Sequence, residues 1–127
     1  MSSMHDLATL VARLLIAALF IVFGIEKITG YASSAGYMEA YGLPGALLPV
    51  AIAVELGGGI AILLGFFSRW AALLLAGFCI VTALVFHTAW SGDGGQGQFI
   101  NFMKNLALAG GLLLLFANGP GRYAVKD

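Results

Sequence analysis

Four long apolar runs decide what this chain can become. They cover residues 7–28, 46–67, 70–90 and 99–117, each near the ~20 residues a helix needs to cross a bilayer. Strands of a membrane barrel would be shorter and would alternate polar with apolar positions, which these runs do not do. Only 9% of the 127 residues are charged, far below the roughly 25% of a soluble domain. The chain therefore reads as a single domain over 1–127, all-α and integral to a membrane, folded as an antiparallel bundle of four transmembrane helices.

The first run is too long for the apolar core of a signal peptide. It holds Arg13 and is followed by no small-residue cleavage site, so an uncleaved helix is expected. The formal net charge is zero and no basic tract is present, which leaves nothing to hold nucleic acid. The one cysteine, Cys79, lies inside the third run. It has no internal partner and reads as a buried, inert thiol.

The connections fix neighbours. Phe67-Ser-Arg-Trp70 is a tight turn that makes the second and third helices antiparallel. Ser91–Gln98 reads as a flexible polar loop, and Gly119-Pro120-Gly121 stops the last helix. The segment from Thr29 to Gly45 is longer and carries Tyr31, Tyr37, Met38 and Tyr41. Tyrosines favour the headgroup region, and a short interfacial helix near 34–41 would put Tyr37 and Tyr41 on one face. Two readings stand for it, a loop resting on the surface and a lid over a pocket. Arg13, Arg69, Arg122 and Lys126 fall on the side of the termini, against Lys27 and Lys104 on the other. That excess places both termini in the cytoplasm. Trp70 and Trp90 read as interface anchors at opposite ends of the third helix. Small residues at Gly57, Ala61 and Gly65, and at Ala107 and Gly111, form ridges that allow helices to approach closely.

Ionisable residues inside membrane helices usually face the bundle interior and mark pathways. Here they are Arg13, Glu26 and Lys27, then Glu55, His87 and Lys104, with Asn105 beside the last. At ~1.5 Å per residue, Glu55 lies about 14 Å from the start of its run. Lys104 lies about 8 Å down its own run, and Arg13 about 9 Å in from the opposite side. Lys104 and Arg13 are both natural counter-ions for Glu55, and an isolated carboxylate in hydrocarbon would take up a proton instead. The candidate site is thus Glu55 for proton exchange, with Arg13, Lys27, His87, Lys104 and Asn105 for a ligand and Tyr37 and Tyr41 as lid. Each has a plainer reading beside it: Lys27 snorkelling to headgroups, Glu26 a solvated helix-end charge, His87 an interfacial residue, the whole set a glue between helices. No metal site is expected, since His87 lacks partner ligands and His5 belongs to the other side.

Arg13-Leu-Leu-Ile with Phe20, Phe23-Gly24 and Lys27, then Glu55-x-Gly-Gly with Leu64-Gly65 and Arg69, then Lys104-Asn-Leu-Ala-Leu-Ala-Gly-Gly-Leu-Leu-Leu114, resemble the DoxX family. The ending Gly119-Pro-Gly-Arg-Tyr123 with Asp127 is similar to that family's glycine-rich turn and closing aspartate. The resemblance implies a bacterial inner-membrane, multi-pass four-helix bundle. It also implies relatives in redox work, among them the membrane part of a thiosulfate:quinone oxidoreductase. Its recurrent polar residues fall on Arg13, Lys27, Glu55, Lys104 and Asn105.

Three functions follow. The first is a quinone-associated or redox-linked membrane subunit, in which Lys104 and Asn105 donate to a quinone's carbonyls and Glu55 exchanges protons. With no C-x-x-C-H, no GxGxxG and one cysteine, the chain has no intrinsic redox cofactor, and electrons would come from a partner chain. The second is a proton-coupled carrier or binder of a small hydrophobic or anionic solute, acting as a homo-oligomer. The third is a non-catalytic structural or assembly subunit. Beyond the lipid bilayer, the partners implied are a quinone or small ligand, a redox chain, or copies of itself.

Overall fold

The computed structural model describes residues 3–125; Lys126 and Asp127, used above for charge balance and for the family ending, lie outside them. All regular structure among the described residues is helical. Helix α1 runs Ser3–Thr29, α2 Tyr31–Ala40, α3 Leu48–Leu64 after a 3-10 turn at Gly45–Leu47, α4 Ser68–Phe86 and α5 Gly95–Asn118. Four spans, with α3 counted from Gly45, are long and apolar enough to cross a membrane.

Local chemistry sets the ends. Helix α3 stops at Leu64 because Gly65 turns left-handed, with φ +71°. A Cβ there would stand 2.7 Å from Ala124 Cα and 2.8 Å from Arg13 Nη2, so only glycine fits. Phe67 is also left-handed, at φ +48°, and helix α4 begins directly after it. Helix α5 starts earlier than its apolar run, because Gly95-Gln-Gly-Gln98 joins the helix rather than the preceding loop. The third helix ends at Phe86, which leaves His87 to Trp90 outside it.

Helix α1 packs along α3, α3 along α4, and α4 along α5, while α1 and α5 scarcely meet. The three consecutive glycines of α3 divide the work. A Cβ on Gly58 would stand 2.9 Å from Leu75 Cγ of α4, and one on Gly59 would stand 3.1 Å from Ile21 Cγ1 of α1. Gly57 faces open space. Two neighbours therefore approach the α3 backbone at one level, from two sides. Ala17 and Phe20 of α1, Ile62 of α3, Ala72, Leu75 and Ala76 of α4, and Ala109 and Leu112 of α5 fill the centre. Large apolar side chains such as Leu15, Val81 and Leu114 point outward, the arrangement expected where the solvent is lipid.

Candidate functional site

The charged residues of the apolar runs separate into two groups at opposite ends of the bundle. One end holds the first turns of α1 and the segment that follows α5, because the backbone amide of Arg122 donates to Asp6 Oδ1 at 3.3 Å. Arg13 is 1% exposed there. Its Nε donates to Ile62 O and its Nη2 to Leu63 O, both at 2.9 Å. Its Nη1 donates to the carbonyls of Pro120 and Tyr123. The carbonyls of Ile62 and Leu63 belong to the last turn of α3, where the regular helical bonds run out and Gly65 N–H also donates to Ile62 O at 3.2 Å. A guanidinium is the one side chain whose fixed fork can serve several carbonyls at once. Arg69 does the same more simply, its Nε donating to Phe116 O near the end of α5 at 2.8 Å.

Glu55 belongs to the other group. It is 2% exposed, and its counter-ion is Lys27, with Nζ 2.7 Å from Oε1. Neither Arg13 nor Lys104, the partners expected above, fills that role. The reason is register: Phe20 meets Gly59, Gly24 meets Leu56, and Lys27 then arrives beside Glu55. Arg13 is carried to Ile62, about 10 Å along α3 from Glu55. Lys104 is exposed on α5 and makes no ion pair or hydrogen bond among the described residues. Lys27 Nζ, 2.7 Å from Oε1, is the cation that compensates this buried carboxylate. A carboxylate so buried would be left uncompensated if that lysine moved away.

Leu75 lies against Gly58, so Cys79, one turn on, reaches the level of Glu55. Asn105 of α5 meets α4 here, its Nδ2 donating to Thr82 Oγ1 at 3.1 Å and lying 3.4 Å from Cys79 O. Lys27, Glu55, Cys79, Thr82 and Asn105 thus form one polar layer across four helices. Thr82 was missed by the sequence reading, which followed charge; its only signal was a hydroxyl within an apolar run.

Beyond that layer sits α2. Tyr37 and Tyr41 pack on each other, with ring centroids 5.0 Å apart, and on Phe86 at 5.3 and 5.1 Å. His87 Nδ1 lies 2.7 Å from Gln98 Oε1, and Gln98 Nε2 donates to the Tyr41 hydroxyl at 3.4 Å. Burial, with the neighbouring Tyr41 hydroxyl, pushes the Tyr37 phenol above its ordinary range, so it stays uncharged at neutral pH. His87 is therefore tied to α2 through Gln98 and does not reach Glu55 directly. Among the described residues, no group of three or more His, Cys, Asp or Glu is placed to hold a metal.

An apolar groove lies elsewhere. About 730 Å³ between α3 and α4 is lined by Ala53, Gly57, Ala61, Phe67, Trp70 and Leu74 among others. It offers hydrocarbon a place but no group for chemistry, whereas the polar layer is filled by the chain's own side chains.

Comparison with known proteins places the chain among bacterial membrane proteins. The DoxX family model matches residues 8–88. The inner membrane protein YqjF of Escherichia coli (strain K12) is 49% identical over 125 residues, covering 98% of this chain and 94% of that protein. The inner membrane protein YphA of the same organism is 40% identical over 120 residues, covering 91% and 86%. A Bacillus subtilis (strain 168) protein named "Putative oxidoreductase CatD" is 29% identical over 76 residues, covering 60% and 57%. No solved structure matches the chain.

Proposed function

The chain belongs to the DoxX family and is a multi-pass inner-membrane protein, and from that premise we propose that it is a redox-linked membrane subunit that binds a quinone-type head at the Lys27–Glu55 pair. One observation carries the reading: a carboxylate 2% exposed in a membrane helix, compensated by one lysine whose own side chain reaches the surface. Ionisable groups at such depth mark pathways more often than packing. The relative named as an oxidoreductase supports the same direction.

The residues suit that chemistry. A quinone supplies a carrier that takes up two electrons and two protons, the electrons here coming from a partner redox protein. Lys27, whose side chain is 31% exposed, is the member of the pair that can swing outward and admit a head group. Lys27 Nζ and Asn105 Nδ2 donate to carbonyl oxygens, and Glu55 delivers and recovers a proton at its carboxylate. Tyr37 and Tyr41 close the site from water.

The finer architecture is part of the proposal. Contacts that run from Arg13 with Ile62 to Lys27 with Glu55 support antiparallel packing of α1 and α3. The gathering of Arg13, Arg69 and Arg122 at the end of the termini supports a cytoplasmic position for both. The tyrosines of α2 support its lying in the opposite interface.

Titrating a short-chain benzoquinone into the purified protein in nanodiscs tests the assignment. Saturable binding that weakens about tenfold or more in Glu55→Gln, a loss of one charge-assisted contact, is expected. Equal binding by wild type and Glu55→Gln would remove the site.

A further inference from the structure

Helices α1 and α5 are the two ends of the packing order and scarcely meet, approaching each other near mid-bundle. There a Cβ on Gly111 would stand 3.9 Å from Ile16 Cδ1. Following each helix along the stripe that passes through this contact gives Ile16, Leu19, Phe23 and Glu26 on α1, and Gly111, Leu108 and Lys104 on α5. Both stripes thus end in an exposed charge, of opposite sign. Neither Glu26 nor Lys104 has an ion pair or a side-chain hydrogen bond among the described residues. Both stand at one level, since Lys27 and Asn105, their chain neighbours, belong to the same polar layer.

Beside Lys104 the surface of α5 is small. Ala107 and Gly110 are exposed, and a Cβ on Gly110 would meet nothing within 4 Å. Phe23, 45% exposed, flanks the α1 side. The Ala107 and Gly111 ridge therefore has no partner helix of its own chain on its outer side.

We infer that this α1–α5 face is a homodimer interface in which Lys104 of each copy pairs with Glu26 of the other. A two-fold axis along the membrane normal keeps every residue at its own depth, so only groups at one level can meet across it. Glu26 and Lys104 satisfy that condition, and a patch carrying both signs is complementary to itself under two-fold rotation. The small residues of α5 let the two backbones approach, and the paired charges leave lipid together.

Charge reversal with rescue tests this in the full-length protein. Native mass spectrometry from nanodiscs or mild detergent should show a dimer for wild type. Glu26→Lys and Lys104→Glu each remove both symmetry-related pairs and should weaken association by about thirtyfold or more, from two polar contacts of about 1–2 kcal/mol each, and the double reversal should restore it. In a Cys79→Ala background, differently tagged Glu26→Cys and Lys104→Cys chains co-expressed in one membrane should form a mixed disulfide dimer. A monomer at all concentrations would overturn the inference. So would a Glu26→Cys/Lys104→Cys chain that links only to itself, which would make the pair a clasp within one bundle, or reversal variants that dimerise as wild type does.

Discussion

Arg13 and Glu55 are both charged and both buried within apolar helices, and their neighbours give them different work. Every side-chain nitrogen of Arg13 donates to a carbonyl in the last turn of α3 or in the segment after α5, so the side chain ties α3 and the C-terminal segment to α1. Arg13→Ala should destabilise the bundle by about 3 kcal/mol, since it strands buried carbonyls. Arg13→Lys should recover only part, because one ammonium cannot serve that spread of acceptors. Thermal unfolding in detergent measures both, and quinone affinity should stay at the wild-type level. The Lys27–Glu55 pair behaves in the opposite way. Lys27→Met alone leaves the Glu55 carboxylate buried without its cation and should cost about 1–3 kcal/mol, more than Glu55→Gln, whose remaining lysine can reach the surface. The double variant should regain most of that stability, because a buried pair replaced by neutral groups is close to neutral overall. Its quinone affinity should remain lost, which a purely structural pair would not explain.

At the scale of elements, the three glycines of α3 separate close packing from mere flexibility. Gly57→Ala meets nothing and should stabilise by about 0.5–1 kcal/mol through helix propensity. Gly58→Ala drives a methyl into Leu75, which is fully buried, and should cost about 1–3 kcal/mol. Unfolding of the two variants side by side gives the contrast. The tyrosines at the end of helix α2 meet Phe86 of α4 and Gln98 of α5. Phe86→Ala removes two ring contacts of about 0.5–1.5 kcal/mol each. Amide exchange over residues 31–40 should then rise about tenfold, with the cores of α3 and α4 unchanged.

At the scale of the molecule, the four spans were legible because hydrocarbon thickness dictates their length. Their ends were less so: Gly95–Gln98 looks like loop by composition yet continues α5, and His87–Trp90 looks apolar enough for helix but lies outside α4. The polar residues were legible one by one, while their partners were not. Which lysine meets Glu55 depends on α1 pairing along α3 in one register, and that register is set by Gly24 and Gly59 accepting Leu56 and Phe20. The saturation of Arg13 depends on the chain returning past Pro120, a long-range event with no local signal. If the Lys27–Glu55 layer holds a small lipophilic redox molecule, mass spectrometry of what the purified protein retains will detect it. Wild type should carry a quinone-type molecule in near-stoichiometric amount, and Glu55→Gln/Lys27→Met, equally stable, should carry none. Equal retention by the two proteins, or none by wild type, would contradict the account.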